Sequence, residues 1–190
     1  MDSKIRVCVV KYTEIKLTET FIWTHLERLP IEAEGVHGTP PRRLTQSPIE
    51  AISFYERALQ AVLRRLGLER RSNVHERDYT SAYQTLFSGI QPDVVLAEYG
   101  TTGIRVMEAC ERMGVPLVVH FHGYDASRQS VLEKYGEQYK TLFQKASAII
   151  AVSREMRTAL VGLGAPSEKV FHNPCGVDLD KFIQTEPQKN

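Results

Sequence analysis

The sequence has few of the features that mark disulfide-bonded, metal-binding or membrane-spanning proteins. Its 190 residues include only three cysteines, Cys8, Cys110 and Cys175, which are far apart and form no CxxC or Cys/His pair. This spacing predicts reduced thiols and no structural zinc site. No stretch approaches the roughly 20 apolar residues of a transmembrane helix, and no cleavage site typical of a signal peptide follows the short run Ile5–Val10. A formal net charge of +1 gives no indication of a nucleic-acid partner.

What the sequence does contain is a regular alternation of short apolar runs and longer helical stretches. The apolar runs lack polar alternation, which indicates strands buried on both faces of a parallel sheet. These strands are predicted at 5–10, 93–97, 116–121 and 148–152, with shorter ones at 32–37, 73–75 and 169–172. Helices are predicted at 19–29, 48–66, 78–87, 101–113, 129–145 and 153–162. The alternation predicts an α/β domain with a Rossmann-like, doubly wound, mostly parallel sheet.

The loops that follow the strands are the expected place for a ligand. Right-handed crossovers bring these loops to one edge of the sheet, and doubly wound proteins bind ligands at that edge. Four loops are concerned: 11–18, 98–101, 122–128 and 153–154. Thr101 or Thr102 is predicted to cap the helix that follows the second of them, and Ser153 to cap the last helix.

Three segments, in the correct order, carry a resemblance to a known family. Residues 148–182 comprise a strand ending in Val-Ser, a helix ending near Leu-Gly, a Lys-Val strand, and Gly-Val-Asp with Phe182 following. Residues 118–127 contain the loop His-Phe-His-Gly-Tyr-Asp, and residues 19–22 read Glu-Thr-Phe-Ile. The chain thereby resembles the N-terminal domain of the family 4 retaining glycosyltransferases, and residues 19–22 resemble a subgroup associated with bacterial exopolysaccharide and lipopolysaccharide synthesis. Pro174-Cys175 departs from the family's usual Pro-Asn-Gly.

The resemblance implies a GT-B fold, in which two Rossmann-like domains face each other across a cleft. Residues 1–182 would be the N-terminal, acceptor-side domain and 183–190 a truncated interdomain linker, so that the donor-binding C-terminal domain is absent and this piece alone is expected to be inactive. The implied reaction moves a sugar, with retained configuration, from a nucleoside-diphosphate sugar to a glycan or lipid-linked acceptor. No metal and no other cofactor are expected.

His122 is the predicted catalytic residue. The resemblance implies that it lies near the donor sugar, where its main-chain carbonyl accepts a hydrogen bond; the alternative is a loop histidine that caps local structure. His120 is interpreted as a satisfied core histidine. Gly123 and Asp125 are predicted substrate-binding residues of the same loop. Asp125 is expected either to bind acceptor hydroxyls, to orient His122, or to cap the next helix.

Further substrate-binding candidates come from the other loops. Glu98 and Tyr99 suit sugar recognition by hydrogen bonding and stacking, with a solvated loop as the alternative. Thr18, Glu19 and Thr20 are candidates for the cleft wall, with helix capping by Thr18 as the alternative. Arg154 suits a phosphate or an acceptor, although surface arginines are common.

A basic stretch of the sequence bears on the partners and the localisation of the protein. Residues 57–77 contain six arginines against two glutamates. Such a stretch is compatible with an anionic membrane surface and equally with a solvated helix face. We expect a cytoplasmic protein, with peripheral contact at the inner face of the membrane as the second expectation. The functional alternatives are a stand-alone acceptor-binding subunit of a split glycosyltransferase and a non-catalytic, flavodoxin-like binding domain.

Overall fold

A computed structural model describes residues 4–16, 18–44 and 79–176 of the chain. The helix predicted at 48–66, the strand at 73–75 and the basic stretch 57–77 lie outside these residues. Seven described strands form one sheet: β1 (Arg6–Lys11), β2 (Glu32–His37), β3 (Arg42–Arg43), β4 (Val94–Glu98), β5 (Leu117–Phe121), β6 (Ala148–Ala151) and β7 (Val170–His172). The described α-helices are α1 (Thr20–Arg28), α2 (Thr80–Ile90), α3 (Gly100–Met113), α4 (Gly123–Ser127), α5 (Gln129–Lys145) and α6 (Arg154–Gly162).

The strand order confirms the predicted fold class. The sheet runs β3-β2-β1-β4-β5-β6-β7, and every neighbouring pair is parallel except β2 and β3. The chain leaves β1 for β2 on one side and later returns to place β4 on the other side. The order therefore reverses between β1 and β4, and this switch point is where doubly wound folds open a ligand crevice.

The core explains why the central strands are apolar along most of their length. The larger cluster packs the sheet against α2, α3 and α5, with Phe87, Phe121, Tyr139 and Phe143 among its fully buried side chains. The rings of Phe121 and Tyr139 meet edge to face at 5.3 Å, a favourable aromatic geometry. A smaller cluster around Ile22 covers the opposite face of the sheet. With helices on both faces, neither face of β1, β4 or β5 needs polar residues.

The structure corrects several local predictions. Helix α3 begins at Gly100, so Thr101 and Thr102 lie inside its first turn and do not cap it. Glu98 is the last residue of β4 and is fully buried, so the solvated-loop interpretation of Glu98 is wrong. Thr18 does not cap α1, because the residue that precedes this helix is Glu19.

Other boundaries agree with the sequence or refine it. Ser153 caps α6 as predicted, since its Oγ accepts a hydrogen bond from the amide of Met156 at 3.1 Å. The segment after β2 includes the short strand β3, and the loop predicted at 122–128 contains the short helix α4. None of the described helices combines the length and apolar character that crossing a membrane requires.

Candidate functional site

A cleft of about 370 Å³ lies at the switch point of the sheet. Its walls come from the carboxyl ends of β1 and β4 and from the segments that follow β1, β4 and β5. The lining residues combine aromatic rings, hydroxyls and charged groups: Lys11, Tyr12, Thr13, Lys16, Glu19, Tyr99, Thr101 and Tyr124. Aromatic rings and convergent polar groups at such an edge are typical of a small-molecule site.

An ion pair forms one wall of this cleft. The ammonium of Lys11, a buried residue at the end of β1, contacts the carboxylate of Glu19 and donates to the carbonyl of Glu14 at 2.8 Å. Glu19 also accepts from the amide of Lys16 at 2.7 Å and from the hydroxyl of Tyr99 at 2.9 Å. Burial would raise the pKa of Glu19, but these donors, Lys11 first, lower it. The carboxylate therefore stays ionised and held in place beside the cleft.

Tyr99 and Gly100 turn the chain sharply at the cleft floor. Tyr99 has φ of +75°, in a region that non-glycine residues rarely adopt. Its amide donates to the carbonyl of His120 at 2.9 Å, which helps to hold this conformation. A Cβ on Gly100 would lie 2.3 Å from Cε1 of Phe121, so only glycine fits there without a shift. Backbone strain of this kind concentrates at functional sites.

Beneath Tyr99, three histidines surround the buried carboxylate of Glu98. Nδ1 of His25 lies 2.6 Å from its Oε1, Nε2 of His122 lies 3.2 Å from its Oε2, and Nδ1 of His120 lies 3.3 Å from Oε2. Burial alone would raise the pKa of Glu98, but the imidazoles of His120, His122 and His25 outweigh it and hold the pKa well below its usual range. The group is thus an anion with no exposed surface.

His122 is brought into this cluster rather than left in a solvated loop. The centroid of its ring lies 4.1 Å from the ring centroid of Phe21, 4.3 Å from that of His120 and 4.9 Å from that of Tyr99. Burial lowers the pKa of His122 more than Glu98 raises it, so the ring is neutral at neutral pH. Because a carboxylate only accepts, Nε2 carries the proton. His122 therefore has a fixed orientation and a fixed tautomer.

Asp125 acts on the backbone of His122. Its Oδ2 accepts from the amide of His122 at 3.3 Å at the start of α4. Asp125 does not cap the next long helix, α5, whose N-cap residue is Arg128. Its side chain is fully buried, and burial raises the pKa of Asp125 to about 7, against the lowering effect of the amides of His122, Gly100 and Thr101. Asp125 thus orients His122 and lies close to the start of α3.

The remaining predicted residues are more peripheral. Thr18 and Thr20 are exposed, Gly123 is exposed with open space around its Cα, and Arg154 is exposed at the start of α6. None of these four is among the residues that line the cleft. Whether they bind substrate stays a prediction.

Sequence reasoning missed several members of the site. Lys11 is the last residue of an apolar strand. Tyr12 and Tyr124 lie in two of the four loops expected to bind a ligand, but neither residue was predicted to be part of the site. His25 carried a signal, because it lies three residues after Ile22 on the inward stripe of α1. A histidine at such a position indicates a polar partner inside the fold, and that partner is Glu98.

The same region gathers two groups of metal-ligating side chains. His25, Glu98 and His120 form one, and His120, His122 and Cys175 form the other, each with ligand atoms within 4.8 Å of one another. Sequence spacing showed no such grouping, because the residues come from four separate segments.

Comparisons with known proteins agree on one family. Residues 25–181 match the family described as Glycosyltransferase Family 4. Among relatives, WcaL of Escherichia coli strain K12, named as a candidate glycosyltransferase of colanic acid biosynthesis, is 28% identical over 63% of this chain and 29% of its own length. AmsK of Erwinia amylovora, named as an amylovoran biosynthesis glycosyltransferase, is 30% identical over 47% of this chain and 23% of its own length. The chain thus spans about a quarter of these relatives.

Solved structures share the fold at low sequence identity. Anabaena Alr3699/HepE, solved with UDP-glucose, aligns with a TM-score of 0.60 and 13% identity over 93% of this chain and 45% of that one. The UDP-N-acetylglucosamine 2-epimerase of Rickettsia bellii aligns with a TM-score of 0.57 and 16% identity, over 90% and 45%. At these identities the likeness concerns the architecture alone.

Proposed function

We propose that this chain, which belongs to Glycosyltransferase Family 4, forms the acceptor-side domain of a retaining glycosyltransferase of exopolysaccharide synthesis. The enzyme transfers a sugar from a nucleoside-diphosphate sugar to a glycan or lipid-linked acceptor. Relatives named for colanic acid and amylovoran biosynthesis support this substrate class. The family match also favours it over a flavodoxin-like binding domain.

The cleft at the switch point is the observation that carries the proposal. Tyr12, Tyr99 and Tyr124 offer faces on which a sugar ring can stack, while Glu19 and Lys11 offer an acceptor and a donor for its hydroxyls. The ion pair is held by three further hydrogen bonds, so it is ordered before a ligand arrives. A pre-ordered polar wall lowers the entropy that binding must overcome.

In this proposal His122 positions the donor sugar through its main-chain carbonyl and does not transfer a proton. Its neutral ring is enclosed by Phe21, Tyr99 and His120, and its amide is fixed by Asp125. The main-chain carbonyl of His122 accepts from the amide of Asp125 at 3.0 Å, which fixes its direction, and its second lone pair can accept a hydrogen bond from a donor-sugar hydroxyl. Transfer itself needs both substrates in near-attack geometry, which in this family involves a second, donor-binding domain and no metal. Residues 1–190 alone are therefore proposed to bind acceptor without transferring sugar.

The test separates acceptor binding from donor binding. Saturation-transfer NMR on the purified 190-residue protein would be recorded with bacterial exopolysaccharide oligosaccharides, with short-chain diphosphate-linked sugars, and with UDP-glucose. We expect saturation of the oligosaccharides or the diphosphate-linked sugars, weakened in Tyr124→Ala, and no saturation of UDP-glucose. Tight binding of UDP-glucose without any glycan signal would contradict the acceptor-side assignment.

Contact with an anionic membrane is a separate part of the proposal and rests on sequence alone. The six arginines of residues 57–77 would bind vesicles that contain anionic lipid and release them at high salt. Co-sedimentation with phosphatidylglycerol vesicles measures this, with phosphatidylcholine vesicles as the control. Equal sedimentation with both vesicle types would rule out the electrostatic contact.

A further inference from the structure

The buried cluster beneath the cleft contains a histidine whose hydrogen-bonding capacity is unused. His120 is 3% exposed, and neither of its ring nitrogens has a hydrogen-bond partner among the described residues, although its Nδ1 lies 3.3 Å from Glu98. A buried polar group without a partner is costly and calls for an explanation, such as an ion. The imidazole of His120 lies beside the carboxylate of Glu98, and a carboxylate can bind a metal ion as well as accept a hydrogen bond.

The ligand set around His120 matches the coordination of a divalent transition metal. His25, Glu98 and His120 offer two imidazole nitrogens and one carboxylate oxygen, all within 4.8 Å of one another. Ligands that share a metal at 2.0 to 2.2 Å are separated by roughly 3 to 4.4 Å, so small side-chain movements suffice. Two histidines and one carboxylate, with further positions open, are a recurrent set for Zn²⁺ and Fe²⁺.

The burial of the Glu98 carboxylate among imidazoles also supports a metal site. The carboxylate of Glu98 has no exposed surface, and a buried carboxylate needs partners that offset its lost hydration. His25, His120 and His122 surround this carboxylate, and an imidazole nitrogen is a common ligand of divalent transition metals. A divalent cation would be bound by the carboxylate and by the imidazole nitrogens at once.

The position of the cluster gives such an ion a structural consequence. His25 comes from α1, Glu98 from the end of β4 and His120 from β5. Helix α1 is preceded by Glu19, and β4 is followed by Tyr99, and these two residues bond to each other in the cleft wall. An ion bound below them would tie together the three elements that shape the cleft.

We propose that His25, Glu98 and His120 form a zinc-binding site that fixes the floor of the cleft. The proposal goes beyond the transferase function and does not depend on it. The ion positions α1, β4 and β5 and takes no part in sugar transfer.

The experiment is a metal titration of the tag-free purified protein after removal of metals with a chelator. We expect one Zn²⁺ per chain by elemental analysis after gel filtration, and visible absorption bands of bound Co²⁺ when cobalt replaces zinc. Saturating Zn²⁺ should raise the thermal midpoint by about 5 °C. Absence of stoichiometric Zn²⁺ and of the Co²⁺ bands in the folded wild-type protein would overturn the proposal, leaving a protonated histidine as the partner of Glu98.

Variants locate the site. His25→Gln and His120→Gln are each expected to weaken Zn²⁺ binding about 100-fold or more, with circular dichroism confirming that each variant folds. His172→Gln, at an exposed histidine of β7, and Cys175→Ser, in the neighbouring group, are expected to bind as the wild type does. Loss of binding in Cys175→Ser with retention in His25→Gln would place the metal in the other group and overturn the assignment.

Discussion

Nδ1 of His25 lies 2.6 Å from Oε1 of Glu98, although the two residues are 73 positions apart. This contact joins α1 to the end of β4, and it places the buried carboxylate directly below Tyr99 at the cleft floor. A fully buried anion is held in the fold by its partners, so the contact has consequences for stability as well as for the shape of the site.

Replacing Glu98 by Gln should be strongly destabilising. The substitution keeps the shape but removes the charge that three imidazoles surround, and breaking a buried charged network costs about 3 kcal/mol or more. Urea unfolding in the presence of EDTA measures the free energy of unfolding without any contribution from metal. Glu133→Gln, on the exposed face of α5, is the control and should leave the urea midpoint unchanged. Equal midpoints for Glu98→Gln and the wild type would show that the network does not stabilise the fold.

Gly100→Ala should destabilise the protein, while Gly136→Ala should stabilise it. A Cβ at position 100 would lie 2.3 Å from the ring of Phe121, and relieving this overlap costs about 1 to 3 kcal/mol. Gly136 lies inside α5 with open space where its Cβ would be, so alanine there gains about 0.5 to 1 kcal/mol in helix propensity. Thermal unfolding of both variants checks the prediction, and a stabilising Gly100→Ala would refute the close packing.

Asp125 should make stability depend on pH, with a definite sign. Its pKa rises from 3.8 to about 7 on folding, so the folded state binds the additional proton between these values. The contribution is fully present below about pH 4 and is lost as the pH rises through about 7. Asp125→Asn removes it, so the free energy of unfolding of the wild type minus that of the variant should fall between pH 4 and pH 7.

The difference between the two proteins is the quantity to measure, because other groups titrate as well. Glu98, Tyr99 and Tyr139 face Asp125 electrostatically, and the lowered pKa of His122 acts in the opposite direction near pH 6. These contributions are shared by wild type and variant to a first approximation and largely cancel. A difference that stays constant from pH 4 to pH 7 would contradict the raised pKa of Asp125.

Tyr124→Ala should weaken acceptor binding without affecting the fold. Tyr124 is exposed and lines the cleft, and the guanidinium of Arg128 lies over one face of its ring at 5.2 Å from the centroid, which leaves the other face for stacking. Loss of one stacking contact of about 1 kcal/mol corresponds to a dissociation constant that is roughly fivefold larger. Phe171→Ala is the matched control, since Phe171 is an equally exposed aromatic residue on β7, away from the cleft lining. A similar loss in both variants would mean that the cleft does not bind the acceptor.

Much of the fold could be predicted because strands and helices have different periods. The unbroken apolar run at 148–152 indicated a strand buried on both faces, and helix α5 has the bounds that its apolar spacing predicted. The ends of elements were less certain. Thr101 looked like a cap, which would start the helix at residue 102, but the helix begins two residues earlier, at Gly100, which packs against the ring of Phe121.

The candidate site was predicted in part. Strand order and crossover handedness place Glu98, Tyr99 and His122 at one edge of the sheet, so choosing loop residues at strand ends was sound. Lys11 and His25 were missed because their roles depend on partners outside their own strand or helix: Glu19, eight residues after Lys11, and Glu98, at the end of β4. Period and propensity describe neighbours in sequence and carry no information about such pairs.

The amino-acid sequence by itself determined the α/β alternation, the apolar central strands and the edge of the sheet at which ligands are expected, because these follow from local periodicity and from the handedness of crossovers. Only the tertiary structure decided that Glu98 is a buried anion among three histidines and that Asp125 has a raised pKa. Burial and the distance between charges are properties of the packed molecule, and they set the electrostatic energy of each group.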